Sequence, residues 1–592
     1  MAHTSTAEAI TMVKDFFNEA KSSRDKVTDR WRKNEALYYG RHWEHSNLMA
    51  HQSKMSFNYP LSLVETTLPI IADYMPIIDV LPREPNDIPF ADMLQFRKKQ
   101  LEDESKLYDN ILSAIKDSLV YSNGLLEILP KLDKDQNFYG IDVKVIDPFT
   151  FFPDPYATDL DLNGNCKYVV FATPMAVDKI KEQYGVDVQT HGELDDFRAF
   201  QYSDPVNFPD NDTKDKNNKK TAMSLVLECF WNCEGYPNGR FTAICGDTLL
   251  TDEPLELSRI PYFMIGNYKS PHSIWGIGEP ELIRTQTKVI NEVMSSVADN
   301  IKRTGNPSRK ISTRALARQK KKLTGAVGEQ YVVDDPNDVT WEQPPSIPAY
   351  VQHFVNQVQN MQDSVSGVHD VTQGRNPSGV TAGKAIIALQ EAGQTRIRYK
   401  IAKEISKLIT EVGEYMVDML QTYDDKVVNV RTTNEFGEMD FKEYNPNMLI
   451  DKNGRQEGEV GFSYSSAKSL RDTTFDIEVN AGFRPPNGRQ ATEERAMQLF
   501  QLGVYGIEDV VKSLNEPNKQ EIIERFYQRQ QEHQQQQMNA ENQQLGQKMD
   551  VPPEIVESVR ALMQQGIEPN SPEEQQLQIL MEKYPQLQNL VQ

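Results

Sequence analysis

At 592 residues, with 38% hydrophobic and 25% charged side chains, the chain is too long for one hydrophobic core and too apolar to be disordered throughout, so several packed regions are expected. A net charge of −22 excludes a tight grip on DNA over most of the surface, because neutralising phosphates with Lys and Arg drives that affinity; the chain either never meets DNA or lets it slide past. No stretch has the ~18 apolar residues of a membrane helix, and Met1 to Ala9 lacks a basic region followed by an apolar run, so neither a membrane span nor a secretory signal is expected.

Along the chain, residues 5–39 place Ile10, Val13, Phe16, Phe17 and Ala20 at helical spacing, and Gly40 ends the pattern. Residues 58–81 are apolar but punctuated by Pro60, Pro69 and Pro76; the piece 77–81 reads as a strand closed by Pro82. Helix returns over 89–121, then Asn123-Gly124 turns into strands at 125–129 and 141–146. A polar segment, 205–221, reads as a loop or mobile insertion. Residues 225–231 and 240–244 flank Pro237-Asn238-Gly239, a hairpin signal.

The middle is more regular. A helix is expected over 279–304, with Pro280 in its first turn and Gly305-Asn306-Pro307 as its stop. A second, beginning near Ser346 and Pro348, carries Val351, Phe354, Val358, Met361, Val365 and Val368 in alternating steps of three and four. That is a heptad seam too short to stand alone, and it needs a neighbour. A third helix spans 381–423, with a kink suggested near Gly393. Residues 427–483 are strand-like and turn-rich, 485–488 mark a boundary, and the remainder is helical and glutamine-rich, above all 528–547. The fold class is α+β.

Little of this carries catalytic chemistry. Gly379-Val-Thr-Ala-Gly383-Lys384-Ala385 has one residue too few between its glycines for a phosphate loop, and lacks the Ser or Thr that holds magnesium. Asp159, Asp161, Asn163 and Gly164 match the first half of a calcium loop, but Val170 stands where its bidentate Glu belongs, so a polar turn is expected, with a weak cation site left open. His42 and His45 do not have zincin spacing. Cys229 and Cys233 are four apart in an alternating run, on one strand face; with Cys166 and Cys245 they read as core thiols of a reducing cytoplasm, not metal ligands. No cofactor and no catalytic residue is assigned. The strongest charge signal lies between Asn300 and Gly328, where nine basic residues (Lys302, Arg303, Arg309, Lys310, Arg314, Arg318, Lys320, Lys321, Lys322) meet no acidic one. So one-sided a run in an acidic chain suggests an anionic partner, DNA or an acidic protein face.

The order helix, basic excursion, returning helix, Gly-rich loop, very long helix resembles the portal proteins of tailed bacteriophages. Trp31, Tyr38-Tyr39-Gly40 and Trp43 resemble their opening helix and turn, and Pro76 to Pro82 their early strand. Asp147-Pro148 with Phe152-Pro153-Asp154-Pro155 is similar to the segment after their first sheet. Trp275-Gly-Ile-Gly-Glu-Pro-Glu-Leu-Ile283, with Gln286 and Asn291, looks like the helix that opens after a Gly turn.

The resemblance implies a portal fold. Its mixed wing would be 1–275 plus 381–483, its stem the helices 279–304 and 346–366, and its clip 305–345, with short strands at 331–333 and 339–341. A tunnel loop would be 367–380 and a helical crown 488–592. It implies a non-enzymatic ring of twelve subunits at one vertex of the virion capsid, made in the host cytoplasm, through which double-stranded DNA is packaged, retained and ejected. The expected partners are the terminase packaging motor, then tail adaptor proteins, with the major capsid and scaffolding proteins. Arg309, Lys310, Arg314, Arg318, Lys320, Lys321 and Lys322 would form the docking clip, Val351, Phe354, Val358 and Met361 the oligomerising stem, and Arg375, Gln373 and Asn376 the DNA contact in the channel. The nearest rival is another head–tail joining or capsid structural protein. A packaging motor would need the phosphate loop, and a soluble DNA-binding protein a basic surface or a reading helix.

Overall fold

The computed structural model describes residues 6–43, 49, 51–135, 137–189, 223–305, 307–318, 330, 332–342, 346–367, 395–433, 439–452, 454–457, 459–460, 462–480, 488–513, 519–549, 551–564 and 572–585. The chain divides into two compact units, residues 1–430 with 441–484, and residues 431–440 with 485–592. The expected insertion at 205–221 lies outside the described residues.

In the first unit, helix α1 (Thr6–Tyr38) buries Val13, Ala20, Val27 and Trp31, and Gly40 ends it at φ +74°, where a side chain would be strained. Helix α2 (Tyr59–Asp73) opens with Pro60 in its first turn, capped by the Asn58 side chain, which accepts from the Leu61 N–H. The helix expected over 89–121 is two, α3 (Ile88–Ser105) and α4 (Leu107–Tyr121), broken at Lys106, whose φ of 53° no helix accommodates.

Strand β1 (Ile77–Pro82) pairs antiparallel with β18 (Phe475–Asn480), almost four hundred residues away. Strand β2 (Asn123–Leu132) lies between β3 (Phe138–Ile146) and β9 (Tyr262–Gly266). A five-stranded antiparallel meander follows chain order: β4 (Phe151–Pro153), β5 (Tyr168–Ala176), β6 (Met223–Cys233), β7 (Tyr236–Cys245) and β8 (Thr248–Pro254), with helix α5 (Val177–Tyr184) after β5. Leu227, Cys229, Trp231 and Cys233 share one face of β6 and pack on Val13 and Ala20 of α1. All four thiols are free and buried; burial pushes the Cys229 thiol up, and that of Cys166 up to about 12. The hairpin between β6 and β7 turns at Glu234-Gly235, not at Pro237-Asn238-Gly239, which lie within β7. Gly239 sits instead at φ +88° beside a register shift, where an added Cβ would stand 2.9 Å from the Trp231 carbonyl oxygen. The glycine marks a bulge.

Two small ribbons, β10 (Tyr268–Lys269) with β11 (Gly276–Ile277), and β12 (Arg309–Ile311) with β13 (Val339–Trp341), bracket helix α6 (Glu279–Gly305). Helix α7 (Thr313–Arg318) sits between β12 and β13, and α8 (Tyr350–Ser366) follows. The long helix is described from Thr395 as α9 (Thr395–Lys400), a π turn (Ile401–Ile405) and α10 (Ser406–Tyr423). Its expected start at 381 and kink at Gly393 lie outside the described residues. Gly413 lets α10 lie close on the β1–β18 ribbon: a Cβ there would meet Ile78 at 2.8 Å and Ile477 at 3.0 Å. Strands β14 (Val428–Thr433), β15 (Met439–Tyr444), β16 (Leu449–Ile450) and β17 (Lys468–Ser469) are short. The main core gathers residues of α1 to α4, β1 to β3, β9 and α10.

The second unit carries helices α11 (Gly488–Gln501), α12 (Ile507–Ser513), α13 (Lys519–Met549), α14 (Pro553–Gln564) and α15 (Pro572–Lys583). Val551, Val559 and Leu577 centre a small core there. In α13, residues 528–537 of the glutamine run are exposed throughout.

Candidate functional site: a helix pair closed by a two-stranded ribbon

Three distant stretches meet where α6 begins. The Trp31 ring packs edge-on against Phe149 and Trp275, each at 5.4 Å between centroids, and Trp275 against Phe151 at 5.8 Å. Asp147 fixes the turn that presents Phe149, accepting its N–H at 3.0 Å. The glycines of the Trp275 block are there for lack of room. A Cβ on Gly276 would stand 2.9 Å from the Tyr268 carbonyl oxygen, and one on Gly278 2.5 Å from that of Val120. Glu279, the first residue of α6, is 2% exposed and ion-paired to Lys400 of α9. Asn267 binds both, accepting from the Lys400 ammonium at 2.7 Å and donating to Glu279 at 3.4 Å.

Helices α6 and α8 run antiparallel. Gln362 near the end of α8 donates to Thr287 near the start of α6 at 2.9 Å, while Val351 at the other end of α8 lines a groove with Val293 and Val297. A polar ladder runs up α6 at intervals of four: Thr287, Asn291, Ser295, Asp299. Its upper rungs hold the backbone of an extended strap. The N–H groups of Phe57, Met55 and Ser53 donate to Asn291 at 2.7 Å, Ser295 at 2.9 Å and Asp299 at 2.9 Å. Four helical residues rise about 6 Å and two extended ones about 6.6 Å, so the two repeats stay in step. Sequence reading singled out Asn291 but not the ladder, whose signal was the four-residue spacing of small polar side chains.

The expected seam on α8 divides. Val358 is buried, whereas Phe354 and Met361 are 43% and 52% exposed. The face turned to α6 is instead Val351, Val355, Val358, Gln362, Val365 and Ser366, each buried or half-buried. The polar Gln362 escaped an apolar reading because Thr287 satisfies it. Phe354 and Met361 share the adjacent stripe with Tyr350, which is 71% exposed.

At the far end the β12–β13 ribbon closes the pair, Arg309 opposite Trp341 with its guanidinium 4.6 Å from the ring centroid. Val339–Trp341 is a strand as expected, but its partner is Arg309–Ile311; Val332 and Val333 are not in a strand. The returning chain brings acids to the basic run. Asp334 pairs with both Arg314 and Arg318, Glu342 with Lys310 at 3.4 Å, and Ser312 donates to Asp338 at 2.7 Å.

The family model of the phage SU10 portal protein matches residues 128–453, more than half of the chain, and that of the phage P22-like portal protein matches residues 14–232. The chain belongs to the tailed-phage portal proteins. No curated protein matches it.

Portal proteins are structural rather than enzymatic, and membership implies an oligomeric ring at a capsid vertex with capsid and packaging partners. In this portal protein Asp159 and Asp161 sit in a polar turn, accepting the N–H of Asp161 at 3.3 Å and of Asn163 at 2.9 Å, and Val170 lies in β5. Among the described residues no group of three His, Cys, Asp or Glu could hold a metal ion, and no helix is long and apolar enough to cross a membrane. Lys320, Lys321, Lys322, Gln373, Arg375, Asn376 and the glycines of 379–385 lie outside the described residues.

Proposed function

We propose that the chain forms a ring whose channel passes double-stranded DNA into the capsid, retains it, and releases it on ejection, with the α6–α8 pair as stem and 305–345 as clip. Residues 1–275 with 381–483 then form the wing, 367–380 the tunnel loop and 488–592 the crown. The observation that carries the reading is the second apolar stripe of α8. Tyr350, Phe354 and Met361 are exposed beside a helix interface that is already complete, and exposed apolar groups arranged along one stripe mark an interaction face. A neighbouring subunit covers it in a ring. The net charge of −22 supports a channel that repels phosphates, so DNA slides with little adhesion.

In this reading Arg309, Lys310, Arg314, Arg318, Lys320, Lys321 and Lys322 form the face that docks the terminase motor and later the tail adaptors, while Arg375, with Gln373 and Asn376, touches phosphates in the channel. Electron microscopy of the purified protein tests the ring: a hollow ring with a narrow end is expected, and a monomer at every concentration overturns it. Packaging in phage carrying neutralised clip residues, or lacking 374–378, tests the two sites. Intact rings that fail at motor or tail joining, and at late genome retention, are expected; full-length, well-retained genomes in tailed particles overturn both assignments.

A further inference from the structure

The short helix α9 reaches three other helices through alternate residues. The Arg396 guanidinium donates to the Val365 carbonyl oxygen in the last turn of α8, and crowds Gly367, where an added Cβ would stand 3.2 Å from it. Arg398 donates to the Tyr74 hydroxyl at 3.1 Å, at the end of α2. Lys400 is 9% exposed and pairs with Glu279 in the first turn of α6, its ammonium 3.8 Å from the centre of the Tyr268 ring. With about 3.6 residues per turn, positions four apart share a helix face and the one between them points the other way. Arg396 and Lys400 therefore address the same side, where the start of α6 and the end of α8 lie together. Leu282 and Ile283 share an apolar cluster with Val365 there.

We propose that Thr395–Lys400 is a joint that holds the near end of the helix pair, the start of α6 and the end of α8, to the rest of its unit, with Arg396 and Lys400 as positioning residues that act as one clamp. Arg396 grips a carbonyl at the end of α8. Lys400 grips a carboxylate at the start of α6. The Gln362–Thr287 hydrogen bond ties those two ends to each other. Through that tie, loosening either cation loosens both helix ends, while the strap at 53–57 still holds α6 further along. The joint deepens the portal reading, and its failure is distinguishable from failure of that reading: imaging of the parent chain tests the ring, whereas the joint is tested on the purified full-length chain in whatever oligomeric state it adopts.

The experiment is hydrogen exchange on the parent, on Arg396→Met, and on the double variant Glu279→Met with Lys400→Met. The double replacement avoids stranding a buried charge, which would unfold the site for an unrelated reason. Within the pair Arg396 bonds the Val365 carbonyl of α8 and lies against Gly367, so a merely local cap would speed exchange at 359–366 alone. The joint predicts that Arg396→Met, at an exposed position, speeds exchange about threefold, the worth of a solvent-exposed charged contact, both at 359–366 and at 279–287, with the β5–β8 meander unchanged. The double variant gives the same two-ended pattern. Acceleration confined to the helix nearest each substitution, acceleration spread evenly over the meander, or no change at all overturns the joint.

Discussion

Gly278 shows how much of this protein rests on single positions. A methyl group there would stand 2.5 Å from the Val120 carbonyl oxygen and 3.1 Å from the Asn34 amide, and neither backbone nor a buried amide can step aside cheaply. Gly278→Ala should cost about 1–3 kcal/mol, the usual toll of overpacking, seen as a lower thermal midpoint. Gly305→Ala is the control, since nothing lies within 4 Å of its Cβ; there the better helix former should leave the midpoint unchanged or raise it. The Trp275 block was recognisable in sequence as a pattern, but its cause was not, because Val120 and Asn34 come from elsewhere in the chain. Lys400 and Glu279 were illegible for the same reason: each looks like an ordinary charged helix residue until the other is placed beside it. Asp299 adds a pH dependence. The hydrogen bonds from Ser53 hold its carboxyl below the usual carboxylate range. The folded value is thus lower than the unfolded one, so the stabilisation is present above about pH 3.9 and is lost as pH falls through the folded value. Protection of the Ser53 amide should fall on acidification while that of Met55, held by the non-titrating Ser295, stays. Equal loss at both amides would refute the assignment, and Asp299→Asn should remove the pH dependence.

At the scale of elements, helix boundaries were the most legible feature. The 279–304 reading differs from α6 by one residue, because Pro280 and Gly305 punctuate it. Strand pairing was not legible: nothing local tells Ile77–Pro82 that its partner is Phe475–Asn480, or Val339–Trp341 that it will meet Arg309–Ile311. The α8 seam was half legible. Its period was right, but two stripes one residue apart share that period, and the apolar Met361 favoured the stripe with Phe354 over the one with Val355, which the polar Gln362 interrupts. The stripes make different predictions. Val358 is 7% exposed and turned to α6, so Val358→Asp buries an unpaired charge, costing several kcal/mol. Circular dichroism melts should show a large drop for the isolated chain, whatever its oligomeric state. A melt like that of the parent would mean that α8 does not pack on α6 through this face.

For the whole molecule, charge balance and surface face decide what the chain can join. Lys and Arg number 64 against 86 Asp and Glu, and the one-sided basic run of the sequence is softened in space by Asp334 and Glu342. Exposed pairs of this kind contribute little to stability, so in the proposed clip a partner could recruit these cations without dismantling the fold. Association through the proposed stem would have another source, the exposed Tyr350, Phe354 and Met361 stripe, whose apolar area is worth roughly 25 cal/mol for each Å² removed from water. Substituting both Phe354→Glu and Met361→Glu places charges where the isolated chain already meets solvent. The fold should therefore survive, with a thermal midpoint within a few degrees of the parent monomer. In a ring the same carboxylates would be driven against a neighbour's apolar surface and lose their hydration, a cost repeated at every interface. Sedimentation of the double variant should show folded monomer under conditions where the parent forms rings. Rings as stable as the parent's would place the subunit interface on another face of the stem, and leave the stripe unexplained.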